Sequence, residues 1–364
     1  MNKTKVMCLS KSQSDKIQIE CNNCKLEQVE RYTYLGFELT SNFSYKVMES
    51  SLMEKARKAT FKLRSLLYDS YLKPKLCLQL FDQLIKPICL YGSEIWGQNV
   101  IKTSNSSNFN ESLAKFESEK LNISFAKFIL GVHKKAQNSA VRGELGRLPL
   151  GIDIVANILT YYYNISLKTK SSILTEAFEL YNSNNNKSSW VFKSQQIINY
   201  IKKNCHEVDI LKRKSIIRYC KDMYIQFWKK KITSESKMRT YILYKNNFCY
   251  EKYLDILATE LRKPLTQFRI SAHNLEIERG RYTRPVTPVN QRICRRCNAS
   301  TDSELHFLFE CGLFTSQREQ LFINLTENCP LFTTLSDENK LQYLLNSEGS
   351  ALTEIAVFLK KFLP

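Results

Sequence analysis

Four residues near the C-terminus constrain this chain most: Cys294-x2-Cys297-x8-His306-x4-Cys311. Tetrahedral zinc takes four nitrogen or sulfur ligands, and a Cys-x2-Cys turn supplies two of them from one short loop. A short helical or turn element over 306–311 would carry the other two. Leu305, Phe307, Leu308 and Phe309 surround His306 and provide an apolar cap over the metal. The chain holds twelve cysteines, so four unrelated residues are the competing reading. Spacing and cap together favour a zinc knuckle, with Zn as the cofactor.

The run ahead of the knuckle is rich in arginine. Arg269, Arg279, Arg281, Arg284, Arg292, Arg295 and Arg296 face Glu276 and Glu278. A guanidinium is planar, always charged and shaped for two-point phosphate contact, which suggests a nucleic-acid face. Arg295 and Arg296 lie between the first two metal ligands, where a rigid loop would present them to a phosphate chain. An ordinary solvated basic loop is the blander alternative.

The charge balance points the same way. The 364 residues include 54 lysines and arginines against 35 acids, a formal charge of +19. Such an excess favours polyanions, nucleic acid before an anionic membrane surface. A hydrophobic fraction of 43% suits a globular protein with room for two or three domains. No stretch approaches the ~18 to 20 apolar residues of a membrane span. The opening MNKTKVMCLSKSQ lacks a signal peptide's apolar core. Cys77, Cys89, Cys220 and Cys249 sit in apolar, helix-like surroundings, which predicts reduced thiols and an intracellular protein, nuclear or cytoplasmic, not secreted.

Along the chain, 3–10, 16–20 and 31–36 read as short strands of a meander. Cys21-x2-Cys24 has no second ligand pair nearby, and Asn22-Asn23 favours a hairpin turn there. From 44 to 69, Met48, Leu52, Ala56, Ala59, Leu63 and Leu66 recur at helical spacing. The remaining face carries Lys46, Lys55, Arg57, Lys58, Lys62 and Arg64. A second helix fits 75–88, with Pro87 ending or kinking it. The polar run 103–110 reads as a loop, and a helix over 113–130 stops at Gly131. Gly143, Gly146 and Gly151 cluster in a chain of only ten glycines. They match no phosphate-loop spacing and favour a corner between helices. A helix covers 154–180, a loop and candidate boundary follows near 181–190, and Tyr219, Tyr224, Phe227 and Trp228 read as core in a basic helical stretch. Helices over 316–326 and 341–363 close the chain.

Six blocks then occur in order: KTKVM from Lys3, RYTYLGFEL from Arg31, KARKATFKL from Lys55, LFDQLIKPICLYGSEIWG from Leu80, NSAVRGELGRLPL from Asn138, and the arginine run into the knuckle. Together they resemble the C-terminal half of the polyprotein of non-LTR (LINE-type) retrotransposons, over most of the chain but thinly between about 165 and 255. The resemblance implies the last strands of a reverse-transcriptase palm (1–40), thumb-like helices (41–100), a helical connecting region (101–265), the Arg-rich run with its zinc knuckle (266–315) and C-terminal helices (316–364). It implies that Lys55, Arg57, Lys58, Lys62 and Arg64 lie along a template–primer duplex. The knuckle with Arg279, Arg281, Arg284, Arg292, Arg295 and Arg296 would hold RNA or nicked DNA.

One departure matters. Polymerases need paired carboxylates for two metal ions, and no Asp-Asp pair occurs in this sequence. The family's catalytic hairpin would lie upstream of Lys3. The expectation is therefore a fragment that is not an enzyme by itself but binds RNA and DNA. The rivals are a partner that completes a separately encoded palm domain in trans, and a domesticated, zinc-stapled protein-interaction module. The expected fold class is mainly α with a small N-terminal antiparallel β element (α+β) and a C-terminal zinc knuckle.

Overall fold

The apolar residues of 45–68 recur every three or four positions, so a helix gathers them on one side. In the computed structural model the Tyr45–Tyr68 helix buries Met48, Leu52, Met53, Ala56, Thr60, Leu63 and Leu67. The structure describes residues 4–9, 18–21, 24–42, 44–68, 70–167, 173–183, 189–204, 209, 211–327 and 329–363. The stripe differs from the sequence reading: Met53, Thr60 and Leu67 are buried, Ala59 is half-buried and Leu66 is 76% exposed. Thr60 enters the stripe because its hydroxyl donates to the Ala56 carbonyl at 2.7 Å, which satisfies it inside the helix.

The described chain is mainly helical, with three two-stranded sheets near its start. The meander expectation needs correction. Lys5–Val6 pairs in parallel with Glu27–Gln28, while Glu20–Cys21 with Cys24–Lys25 and Arg31–Tyr34 with Phe37–Thr40 form antiparallel pairs. Parallel pairing cannot come from a tight hairpin, so the first pair is not part of a meander. Residues 16 and 17 of the strand expected over 16–20 lie outside the described residues, and the strand found there is Glu20–Cys21.

The contacts gather the chain into two compact units, and each collects separated segments. One comprises Met1–Tyr68, Leu80–Leu121 and Pro149–Met223. In it the Tyr45–Tyr68 helix packs on Lys86–Leu90 and on the Phe37–Thr40 strand, and Ser93–Trp96 packs on Gly151–Ser166. Pro87 does end a helix: Pro74–Leu84 stops at Ile85, and Lys86–Leu90 restarts with the proline in its first turn. The polar run that reads as a loop is partly helical. Asn105 caps Ser106–Leu113 by accepting the Asn108 N–H at 2.7 Å, so the 113–130 helix begins only at Glu117.

The other unit comprises Asp69–Gln79, Asn122–Leu148 and Tyr224–Pro364. Thr259–Arg269 packs on Gly349–Phe362, which also meets Thr315–Thr326 and Asp337–Asn346. The closing 341–363 helix is really two, Asp337–Asn346 and Gly349–Phe362, broken where Gly349 takes a left-handed φ of 68°. Gly131 ends its helix in the same way, at φ 66°, as the sequence suggests. Trp228 is buried, with its indole N–H donating to the Ser139 carbonyl at 2.8 Å. Tyr224 is buried too and Phe227 half-buried, as a core reading of these aromatics expects. In the first unit, Tyr219 is likewise buried.

Candidate metal centre and nucleic-acid interface

The knuckle is built from a tight hairpin and one wide helical turn. Ile293 and Thr301 bridge antiparallel, with the Asp302 N–H donating to the Arg292 carbonyl at 2.9 Å. Inside this hairpin the Cys294 N–H reaches the Ser300 carbonyl at 2.9 Å, and Asn298 takes φ 56° to reverse the chain. Asparagine tolerates that left-handed backbone better than most residues. A π-helical turn, His306–Glu310, then carries His306, and the Cys311 N–H closes it onto the His306 carbonyl at 2.8 Å.

These elements bring Cys294, Cys297, His306 and Cys311 together, with their four ligand atoms all within 4.8 Å of one another. Cys294, His306 and Cys311 are buried and Cys297 is half-buried. The His306 Nε2 lies 3.2 Å from the Cys297 Sγ. On the far side of the ring, Nδ1 meets Ser300 Oγ at 2.7 Å and Glu310 Oε2 at 3.2 Å. An imidazole that ligates through Nε2 must carry its proton on Nδ1, where a hydroxyl and a carboxylate here receive it. The Ala299 N–H favours the Cys297 thiolate and holds that thiol below its ordinary value. Burial pushes Cys311 up to about 11. Three thiols and an imidazole in this arrangement can hold a metal ion.

The arginines divide into buried, half-buried and exposed groups. Arg292 is buried, donating from Nη1 to the Ile277 carbonyl at 2.6 Å and from Nε to the Thr287 carbonyl at 2.9 Å. Arg269 is buried as well, inside a cluster of ions described below. Arg296 is half-buried: it pairs with Asp302 at 3.1 Å and lies 5.2 Å from both the Phe307 and Phe314 ring centroids. It acts as a lid on the knuckle's apolar side. Arg279, Arg284 and Arg295 face solvent. Arg279 and Arg295 share Glu276, at 3.5 and 2.9 Å. Arg281 is half-buried against Glu278 at 3.2 Å.

On the Tyr45–Tyr68 helix, Lys55, Arg57, Lys58 and Lys62 are exposed and Arg64 is half-buried. Lys55, Lys58 and Lys62 follow the three-and-four spacing of a single face, with Phe61 exposed beside them. Lys58 pairs with Glu54 at 2.9 Å and Arg57 with Glu117 at 3.8 Å. Surface pairs of this kind are weak and leave their cations available to a polyanion.

The glycine-rich segment is a corner of the chain, as expected. Gly146 takes φ 55°, and a Cβ there would stand 2.8 Å from the Tyr250 amide nitrogen. Gly151 opens the Gly151–Ser166 helix so close to another segment that a Cβ would fall 2.2 Å from the Leu113 carbonyl oxygen.

Sequence spacing missed a cleft of about 470 Å³ lined by residues 133–135, Lys237, Gln267, residues 272–274, Glu278, Arg279 and Tyr282. The run His133-Lys134-Lys135 after Gly131 is its only local sign. The chain matches no protein-family model, no curated protein and no solved structure. Among the described residues no helix is long and apolar enough to cross a membrane.

Proposed function

We propose that this protein binds nucleic acid, RNA or a template–primer duplex, through the basic side of the Tyr45–Tyr68 helix and the surface around a zinc-loaded Cys294–Cys297–His306–Cys311 centre. The observation that carries the reading is the helix face: Lys55, Lys58 and Lys62 in line and exposed, opposite a fully buried stripe. Phe61 and Tyr68 stand 75% and 78% exposed on the same helix, where unpaired bases can stack on them. Three thiolates and one imidazole suit zinc better than the oxygen-loving cations. The ordered resemblance to LINE-type reverse transcriptases supports the same role, that of the gripping rather than the polymerising part.

Fluorescence anisotropy with a structured RNA and with a template–primer duplex, over a salt series, tests this. Affinity should fall steeply with salt. Lys55→Glu with Lys62→Glu should weaken binding and flatten the slope by about one unit for each phosphate no longer neutralised. An unchanged affinity and slope in that variant would overturn the helix assignment. Weaker binding on chelation would place the metal centre in the interface.

A second reading rests on the sheets. Every position of Arg31–Tyr34 is exposed, and among the described residues each sheet has two strands. Such edges accept further strands, as docking on a separately encoded palm would require. Co-purification with such a palm, and polymerase activity only in the mixture, would favour it.

A further inference from the structure

The cleft missed by sequence is framed by His133, Lys135, Lys237, His273, Arg279 and Tyr282, brought together from three distant stretches. Among the described residues Glu278 is the one acid in its lining, and it is already engaged. Glu278, 2% exposed, receives Arg239 Nη1 at 2.8 Å, Arg281 Nε at 3.2 Å and Lys237 Nζ at 3.5 Å. Glu304 is held by Arg239 at 2.6 Å and by His273 at 3.0 Å. Lys134 and Lys135, by contrast, are exposed and have no acidic partner among the described residues. The cleft therefore carries a positive surplus within a partly enclosed space, where a charge contact is worth more than on open surface.

The surplus is felt by its neighbours. Burial, with Lys237, Lys127 and Lys135 adding to it, holds His133 below the ordinary histidine value. Lys127, whose Nζ donates to the Lys134 carbonyl at 2.7 Å, is pushed down to about 8 by burial and by Lys237. An aromatic surface completes the cleft. Tyr282 is 47% exposed, Lys135 Nζ lies 4.4 Å from its ring centroid, and its hydroxyl is 3.3 Å from Lys237 Nζ.

We propose that this cleft binds one nucleotide unit, its phosphate held by Lys135, Lys237 and Arg279 and its base laid on the Tyr282 ring. An anionic phosphate, monoester or diester, answers the cationic surplus, and every base has a π-face that an exposed tyrosine can stack on. The same chemistry belongs to a free mononucleotide and to one residue of an RNA or DNA strand. The second source rests on the nucleic-acid reading above; the first does not.

The test uses the full, zinc-loaded chain with two probes, fluorescent AMP and a single-stranded RNA of about twenty nucleotides. Three proteins are compared: wild type, Lys135→Ala combined with Tyr282→Leu, and Tyr282→Phe. All are first checked for equal thermal unfolding. Tyr282→Phe keeps the ring but loses the hydroxyl beside Lys237, so it should retain most of the affinity for both probes that the double variant loses. The double variant should lose about tenfold in AMP affinity and a similar factor for RNA if the strand enters the cleft. Loss for AMP alone assigns the cleft to free mononucleotides. RNA binding that persists equally in all three proteins, with AMP binding absent or unaltered, overturns the cleft proposal and leaves the nucleic-acid reading standing. AMP binding lost in the double variant, with no RNA binding by wild type, does the reverse. Should the double variant unfold, Lys135→Gln, at an exposed position, replaces it under the same outcomes.

Discussion

Arg269 and Glu144, 125 residues apart in sequence, form a two-point ion pair in the interior: Nε to Oε2 at 2.8 Å and Nη2 to Oε1 at 3.2 Å, with side chains 1% and 0% exposed. Tyr253 donates to Glu144 Oε2 at 2.7 Å, Glu251 lies 3.4 Å from Arg269, and the guanidinium sits 4.7 and 4.9 Å from the Tyr244 and Tyr253 ring centroids. A residue that the sequence groups with a phosphate-facing arginine run is instead an internal brace. A buried charge is tolerated because its partner and hydrogen bonds are supplied on every side.

Breaking that brace from one side should be severe. Arg269→Met leaves Glu144 buried without its main partner, and a loss of about 3–5 kcal/mol is expected in denaturant unfolding. Adding Glu144→Leu should recover much of that loss, because both charges are then gone. The acid limb should also change. Burial by itself raises the Glu144 carboxyl, but Arg269 and Lys245 outweigh it and hold the group below its ordinary value of 4.5. The unfolded chain then binds the extra proton, so this stabilisation is complete above about pH 4.5 and is lost as pH falls through the lower folded value. Wild type should show that acid destabilisation, and the double variant should lack this part of it.

The basic limb has the opposite origin. Lys127 titrates near 8 in the folded protein against an ordinary 10.5. Between those values the unfolded chain holds a proton that the folded chain has released, so stability from this group rises with pH. Lys127→Met should flatten the rise in urea midpoint between about pH 8 and 9.5. An identical slope in both proteins would remove Lys127 as its source.

At the metal centre, Ser300 and Glu310 both face the Nδ1 side of His306. Ser300→Ala keeps all four ligands but loosens the ring, and about a tenfold loss in metal affinity is expected by competition with a chromophoric chelator. Cys297→Ser should cost far more. Equal affinities for Ser300→Ala and wild type would mean that the hairpin alone fixes the ring.

Arg296 separates knuckle stability from nucleic-acid contact. Its place between Asp302, Phe307 and Phe314 predicts that Arg296→Gln lowers the unfolding temperature while leaving the salt slope of RNA binding unchanged. Arg295→Gln, on an exposed side chain, should do the reverse.

Gly151→Ala should destabilise the first unit by about 1–3 kcal/mol, since the added methyl must displace the Leu113 backbone rather than a movable side chain. Thermal unfolding by circular dichroism reads the change directly.

Periodic and punctuated segments were legible in the chain itself. The Tyr45–Tyr68 helix, the break at Pro87 and the stop at Gly131 follow from side-chain spacing, a missing N–H and a missing Cβ, all local causes. Less legible were elements whose signal is shared between states. The polar run from Thr103 looks like a loop until Asn105 is seen capping a helix, and the 341–363 stretch looks continuous until Gly349 turns left-handed.

By itself the sequence determined which residues can meet one metal ion, because four ligands within eighteen residues need only a hairpin and one turn to converge. It also determined the basic face of the first long helix, which is a matter of helical period. Only the tertiary structure decided which arginines look outward. Arg269 and Arg292 are chemically the same as Arg279 and Arg295, and they were sorted by whether the fold closed over them: the first two are buried, while the other two share Glu276 at the surface. The cationic cleft was decided in the same way, since charges from positions 133–135, 237 and 279 add up only once the fold has placed them around a shared space.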